Sequence, residues 1–193
     1  MAVLATGSNN RCLRASVRFV DSALTGSVTG AEALADPYDA RITLSSPAFL
    51  RLPHLAPIVA DMHFVVRDRL GRLLAFLARL HQDGRAPAAG PPPLSSTGAV
   101  GGIGVDQGTA LLIEPDGSTS IVGSGTAYFI SLQPNTSRVC AHGEPLSVGV
   151  MPAYRLDAKT GGRFDLSRWQ GSGGVSYNIT VRDGKIAGGY GPH

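Results

Sequence analysis

The stretch that decides the fold runs Leu55-Ala-Pro-Ile-Val-Ala-Asp-Met-His-Phe64 and continues as Val65-Val-Arg-Asp-Arg-Leu-Gly-Arg72 towards Leu80. Its first part is a short apolar run with a β-branched pair, which predicts a buried strand. From Asp68 to Leu80, leucines recur every three or four residues, which predicts an amphipathic helix with Asp68 as its N-cap. A buried strand followed directly by such a helix is typical of α/β proteins.

The flanking sequence changes to the pattern of short strands. An Asp36-Pro-Tyr-Asp39 turn precedes a strand over 41–45, and further strands separated by glycine turns are predicted over 109–113, 120–122, 126–130, 146–154 and 175–181. Residues 83–99 are rich in Pro and Gly and predict a loop or disordered insertion within one domain that spans 1–193. Together these elements predict a mixed α/β layer with an antiparallel, β-rich C-terminal extension.

The glycine-rich stretch 101–110 does not fit a nucleotide site. Its glycines lack the G-x-G-x-x-G spacing, and a strand rather than a helix is expected to follow them. A tight turn leading into the strand at 109–113 is the prediction here. Gly123-Ser-Gly125 lacks the G-x-S-x-G pattern of a nucleophile elbow and is interpreted as a hairpin turn.

Composition excludes several classes of function. The 193 residues, 43% of them hydrophobic, can bury one core. A net charge of +3 with no basic stripe argues against nucleic-acid binding, and no apolar run reaches the roughly 18–20 residues of a membrane-spanning helix. Cys12 and Cys140 form no metal or redox motif, so no metal and no cofactor is expected. Whether they pair, and in which compartment the protein works, is left open.

The chemistry is concentrated around His63. Asp61 and His63 alternate at the predicted strand end, where α/β sheets gather functional groups. The cations of Arg67, Arg69 and Arg72 then oppose the helix macrodipole, by roughly 0.3–1 kcal/mol each. Such a cluster implies an acidic partner, either in the protein or in a ligand. A structural histidine and a solvated basic helix face are the alternatives on spacing alone.

Several ordered motifs resemble the cyanophycinase family of serine peptidases. Asp61-Met-His-Phe64 and Arg67-x-Arg-Leu-Gly-Arg72-Leu resemble the family's Asp-Gln/Thr-His-Phe-x-x-Arg-x-Arg-x-Gly-Arg-Leu. Gly102-Ile-Gly-Val-Asp-Gln107-x-Thr-Ala-Leu111 is similar to Gly-Ile-Gly-Ile/Val-Asp-Glu-x-Thr-Ala-Leu, and Gly123-Ser-Gly-Thr-Ala-Tyr128 to the motif that follows it. The resemblance covers most of 21–185 and includes these further stretches: Gly26–Thr29, Ala31–Tyr38 and Phe164–Trp169.

The resemblance implies a three-layer sandwich of the class I glutamine-amidotransferase type, present in part, and a Ser–His–Glu triad. His63 matches the catalytic base and Gln107 the position of the triad acid. Asp61 and the arginines Arg67, Arg69 and Arg72 match the substrate-binding pocket. The implied ligand is an acidic peptide or a cyanophycin-like polymer, whose carboxylates suit guanidinium groups. A homodimer is among the oligomeric states that the family suggests.

Three departures from the family pattern bear on activity. Met1-Ala-Val-Leu4 aligns with the end of the family's elbow, which would place the nucleophilic serine before Met1 and make the N-terminal part missing. Ser8 lies nearby but lacks the glycine of an elbow. Gln107 replaces the triad glutamate, and a comparable acid-to-amide change costs a Ser–His–Asp enzyme about 10⁴ in rate. Met62 replaces a polar residue of the pocket.

The function expected from these features is a cyanophycinase-like serine-type peptidase that cleaves β-aspartyl-arginine or other acidic peptide bonds and is inactive without its nucleophile. The alternative is a non-catalytic relative that binds acidic peptides through the arginine cluster. A third hypothesis is a degenerate fragment that does not fold alone, because it would expose apolar faces and an unpaired sheet edge.

Overall fold

In the computed structural model, residues 2–5, 18–21, 28–45, 54–55, 58–86 and 94–188 are described. The helices are α1 (Gly30–Ala35), α2 (Leu70–Gln82) and α3 (Leu94–Thr97). The strands are β1 (Ala2–Ala5), β2 (Arg18–Asp21), β3 (Ile42–Ser45), β4 (Ile58–Met62), β5 (Val100–Val105), β6 (Thr109–Ile113), β7 (Ser118–Gly123), β8 (Thr126–Leu132), β9 (Arg138–Val139), β10 (Ser147–Asp157), β11 (Arg163–Asp165), β12 (Gln170–Ser172), β13 (Val175–Arg182) and β14 (Lys185–Ala187). The predicted α/β class is confirmed, with mixed and antiparallel sheets and few helices.

One sheet carries the parallel pair of strands around which the site is built. Its strand order is β14-β13-β10-β8-β5-β4, with β9 paired to β10. β4 runs parallel to β5, with Met62 opposite Val105, and β5 runs antiparallel to β8. Because parallel neighbours end at the same edge of a sheet, the residues after Met62 and after Val105 lie side by side.

Residues 101–105 belong to a buried strand, so the predicted tight turn before the strand at 109–113 is present but is confined to Gln107 and Gly108. Every residue of β5 is buried. Glycine is depleted in strands because it offers no side chain to pack, but here neighbouring side chains occupy that space. A Cβ on Gly102 would lie 3.1 Å from Leu77, and one on Gly101 would lie 2.7 Å from Trp169. The glycines let a helix and an indole ring approach the strand backbone closely.

Helix α2 packs against this sheet and is buried along most of its length, with Leu73 and Leu77 fully inaccessible. The predicted helix is therefore present, but its start differs. Arg69 occupies the N-cap position without a side-chain capping bond, and Asp68 precedes it with a φ of 45°. An N-cap residue normally has extended backbone, so the predicted N-cap role of Asp68 is wrong.

A second sheet, in the order β1-β6-β7-β11-β12, covers the other face. A core of buried side chains lies between the two sheets, and it includes Ile103, Leu111, Phe129 and Phe164. Helix α2 belongs to a separate core on the opposite face of β5. The described layers are thus helix, seven-stranded sheet and five-stranded sheet. The strands predicted over 109–113, 120–122, 126–130, 146–154 and 175–181 are all present.

The predicted loop over 83–99 contains regular structure. Within 83–99, residues 94–97 form the short helix α3, and residues 87–93 lie outside the described residues. β2, β11 and β12 are further short strands that the sequence did not predict. Cys140 is a buried free thiol whose pKa burial raises to about 11, whereas Cys12 and Ser8 lie outside the described residues. In the described ranges no helix is long and apolar enough to cross a bilayer.

Candidate functional site

The carboxyl ends of β4 and β5 bring His63 next to the segment that begins with Asp106. His63 directly follows the last residue of β4, and Asp106 directly follows the last residue of β5. The two backbones stay joined beyond the strands, because the Phe64 amide donates a hydrogen bond of 3.2 Å to the Val105 carbonyl. His63 is 7% exposed, so its imidazole lies in a largely buried position at this edge.

Asp106 anchors the turn after His63, a role that the sequence analysis missed. Its Oδ1 accepts a hydrogen bond of 3.1 Å from the Val65 amide, and its Oδ2 accepts one of 3.1 Å from the Thr126 amide. The carboxylate therefore ties the His63 turn to the start of β8. This role could have been predicted from the position of Asp106 directly after a strand, because carboxylates at strand ends commonly accept hydrogen bonds from backbone amides.

The turn from His63 to Asp68 holds two residues in the left-handed region. His63 has a φ of 55° and Asp68 a φ of 45°. Such backbone costs roughly 1–2 kcal/mol for each non-glycine residue. The turn is closed by hydrogen bonds from the Arg67 amide to the His63 carbonyl, at 3.1 Å, and from the Arg69 amide to the Phe64 carbonyl, at 2.9 Å. Strain of this kind is common at functional sites.

Asp61, Arg69 and Arg72 form a buried ion cluster directly below this turn. The carboxylate of Asp61 is fully buried, and the two arginines are 3% and 2% exposed. Arg72 binds it through Nε to Oδ2 at 2.9 Å and through Nη2 to Oδ1 at 2.6 Å. Arg69 adds a bond from Nη1 to Oδ1 at 3.0 Å. Two guanidinium groups therefore share one carboxylate in the interior.

The electrostatics of the cluster keep Asp61 ionised. Burial by itself would raise the pKa of this carboxyl, but the charges and hydrogen bonds of Arg72 and Arg69 outweigh it and hold the pKa below its ordinary value. The cluster carries two positive charges against one negative charge. Nη2 of Arg69 is also buried and has no hydrogen-bond acceptor among the described residues. One buried cationic donor of the cluster is therefore unsatisfied within the described part of the chain.

The structure brings some of the predicted site residues together and separates others. Arg69 and Arg72 both contact Asp61, so the acidic partner that the arginines implied is, for these two, a carboxylate of the protein itself. Arg67 is exposed on the turn. Gln107 is exposed between β5 and β6, and in the described part of the chain its side-chain amide makes no hydrogen bond.

Phe64 forms the wall behind His63. Its ring lies over Gly104, where a Cβ would be 2.5 Å from Phe64 Cγ. The ring of Tyr128 lies 5.1 Å away, tilted by 40°. Because Phe64 is fixed between the strand backbone and a neighbouring aromatic ring, the backbone position of the preceding histidine is fixed with it.

The N-terminal residues do not support the predicted elbow alignment. A nucleophile elbow leads from a strand into a helix. Ala2–Ala5 instead forms strand β1, paired antiparallel with β6 from Ala2 opposite Ile113 to Ala5 opposite Ala110.

No protein-family model matches the chain, and no curated protein matches it. Among the described residues, no group of three or more His, Cys, Asp or Glu side chains is arranged to hold a metal ion. The chemistry available at this edge is therefore that of an imidazole, a carboxylate that positions backbone, an exposed amide and a buried guanidinium pair.

Proposed function

We propose that this chain carries the histidine-bearing part of a cyanophycinase-like serine peptidase site, which binds β-aspartyl-arginine or other acidic peptides. His63 is the base, Gln107 occupies the position of the triad acid, and the finer architecture is a partial class I glutamine-amidotransferase-like sandwich. Because the sequence contains no Gly-Thr-Ser elbow motif and has a neutral amide in place of the acid, the chain by itself binds such peptides but does not cleave them.

The observation that supports this proposal is the combination, on one turn, of a strained histidine and a buried cationic donor. His63 opens the turn at a φ of 55°, and Arg69 closes it with Nη2 lacking an acceptor among the residues described. A buried donor without an acceptor costs about 1–3 kcal/mol, and more when the group is charged. A substrate carboxylate would supply that acceptor, and guanidinium–carboxylate pairs are among the stronger hydrogen bonds.

The first test follows the histidine itself. When β-Asp-Arg dipeptide is added to the 193-residue chain, we expect the imidazole resonance of His63 to shift in the proton NMR spectrum, because the ligand binds beside it. The resonance is assigned with His63→Asn, since Asn tolerates the left-handed backbone better than most residues. His142→Asn is the matched control at an exposed histidine. Arginine release is measured in the same samples and should equal that of buffer.

Two outcomes would contradict the proposal. If the dipeptide leaves the His63 resonance unchanged while saturating concentrations are reached, the acidic-peptide site is not at this edge. If the unaltered chain releases arginine and His63→Asn abolishes that release, the chain supplies its own nucleophile and the expected inactivity is wrong.

The non-catalytic alternative rests on Arg67, which is the exposed member of the arginine cluster. If the cluster binds acidic polymers from solution, Arg67→Ala should weaken binding of poly-aspartate by about tenfold, the contribution of one hydrogen bond to a charged group. Arg163→Ala, at an exposed arginine on β11, is the matched control. Isothermal titration calorimetry at low and high salt measures both. Equal affinities of the two variants would rule this alternative out.

A further inference from the structure

A second concave site lies among the C-terminal strands, on chain segments that the proposed site does not use. A cleft of about 450 Å³ opens where β12 and β13 diverge. The two strands are consecutive in the chain and are joined at Gly173–Gly174, but β12 belongs to the five-stranded sheet and β13 to the seven-stranded sheet. The cleft is therefore the open mouth between the two sheets.

Aromatic rings form the floor and one wall of this cleft. Phe129 and Phe164 stack with their centroids 3.8 Å apart and are both buried. Trp169 meets Phe164 edge-on at 5.2 Å and is half-buried. It adopts a φ of 53°, which is costly for a bulky side chain, so the surrounding structure holds the indole where it is.

The rim is polar but uncharged. Among the described residues that line the cleft, none carries a charge. Pro152 of β10 lies opposite Asn178 of β13, and both are exposed. Gln170 adds a second amide on the facing strand, and Ser176 adds a hydroxyl. A charged ligand would therefore lose hydration here without gaining an ionic partner.

Two of the three aromatic polar groups that line the cleft, those of Tyr154 and Trp169, act as donors, and the third is the hydroxyl of Tyr177. The Tyr154 hydroxyl oxygen already accepts a hydrogen bond of 2.7 Å from the Gly174 amide, so its own proton is left to donate. An indole N–H can only donate. A Cβ on Gly101 would lie 2.7 Å from Cη2 of Trp169, on the six-membered ring, and the N–H lies at the opposite end of the indole. These groups suit a ligand rich in acceptors.

We propose that this cleft binds a proline-rich peptide segment in the polyproline II conformation. Proline rings pack on aromatic faces, and a polyproline II backbone has carbonyl oxygens without internal partners and no N–H groups at proline. Such a segment is neutral, apolar in its rings and exclusively an acceptor in its backbone, which matches the half-buried rings of Trp169 and Tyr154 and the donors that these two residues carry. The amide oxygens of Gln170 and Asn178 would also accept hydrogen bonds from the hydroxyl groups of a saccharide, so a saccharide is a named outcome of the test. The inference does not depend on the proposed function.

The test uses Trp169, which is the single tryptophan of the chain. Titration with octaproline should change the intrinsic tryptophan fluorescence saturably, because the only reporter lies in the wall of the site. A glycine-serine peptide of equal length should have no effect. Asn178→Ala should weaken octaproline binding about fivefold to tenfold, as expected for one lost hydrogen bond. Asn135→Ala, at an exposed asparagine before β9, is the matched control and should bind like the unaltered chain.

Three results of the fluorescence titration would overturn the proposal. A fluorescence response to cellohexaose without a response to octaproline identifies a saccharide site instead. Equal responses to octaproline and the glycine-serine peptide show that the rings do not select proline. No response to octaproline at millimolar concentration, with circular dichroism showing a folded protein, shows that the cleft binds no such segment.

Discussion

Replacing Asp61 by asparagine is expected to lower the free energy of unfolding by about 3–5 kcal/mol. Asn keeps the shape of the side chain but removes the negative charge that Arg69 and Arg72 both contact, and these two arginines are 3% and 2% exposed. Two buried guanidinium groups then lose the carboxylate to which both donate hydrogen bonds. Urea denaturation followed by circular dichroism measures the change. Glu114→Gln, at an exposed carboxylate, should stay within about 0.5 kcal/mol of the unaltered chain.

The pH dependence of the stability difference between the unaltered chain and Asp61→Asn shows whether the charge of Asp61 causes it. In the folded protein the pKa of Asp61 lies below the ordinary 3.8. The contribution of the ionised carboxylate to the free energy of unfolding is therefore complete above pH 3.8 and is lost as the pH falls through the folded pKa. The stability gap between the unaltered chain and Asp61→Asn should therefore be constant from about pH 5 to 8 and narrow only in acid. A gap below about 1 kcal/mol at neutral pH would show that solvent reaches the cluster.

Replacing Gly104 by alanine is expected to destabilise the protein by about 1–3 kcal/mol and to displace the His63 turn. The added methyl group would lie 2.5 Å from Cγ of Phe64, in a strand that is buried at every position. Because Phe64 directly follows His63 and its carbonyl accepts the turn-closing hydrogen bond from the Arg69 amide, a shift of Phe64 moves the histidine. Thermal unfolding measures the stability, and the His63 imidazole resonance in NMR reports the displacement.

A matched second substitution separates steric overlap from the intrinsic cost of alanine in a strand. Phe64→Leu removes part of the ring that the new methyl group meets. The double variant should therefore be more stable than the sum of the two single changes predicts, by about 0.5–3 kcal/mol. Additive effects would mean that Phe64 is not what limits the space at Gly104.

The sequence predicted those elements whose signal is local. The apolar run before His63 and the leucine spacing after Asp68 predicted β4 and α2 because strand and helix periodicity can be read without tertiary partners. The glycine-rich strand β5 was missed because its glycines are favourable only where Leu77 and Trp169 pack on its backbone. That contact joins segments far apart in the chain, which no local pattern reveals.

The candidate site was predictable in its residues more than in their roles. Asp61, His63 and the arginines stood out because charged side chains beside a buried strand are uncommon. From the sequence, the acidic partner of the arginines could belong either to the protein or to a ligand. Only the folded structure shows that Arg69 and Arg72 pair with Asp61. Asp106 was missed because its partners are the backbone amides of Val65 and Thr126, which a sequence does not distinguish from any others.

The ion cluster also bears on how the chain folds. Asp61 and Arg72 are only 11 residues apart, and the short loop between them costs little entropy to close. Strand β1, in contrast, must find β6 across about a hundred residues. The strand, turn and helix from β4 to α2 can therefore assemble early and offer β5 an edge on which to dock. Chevron analysis of Asp61→Asn should then show slower folding rather than faster unfolding, which places this cluster in the folding nucleus.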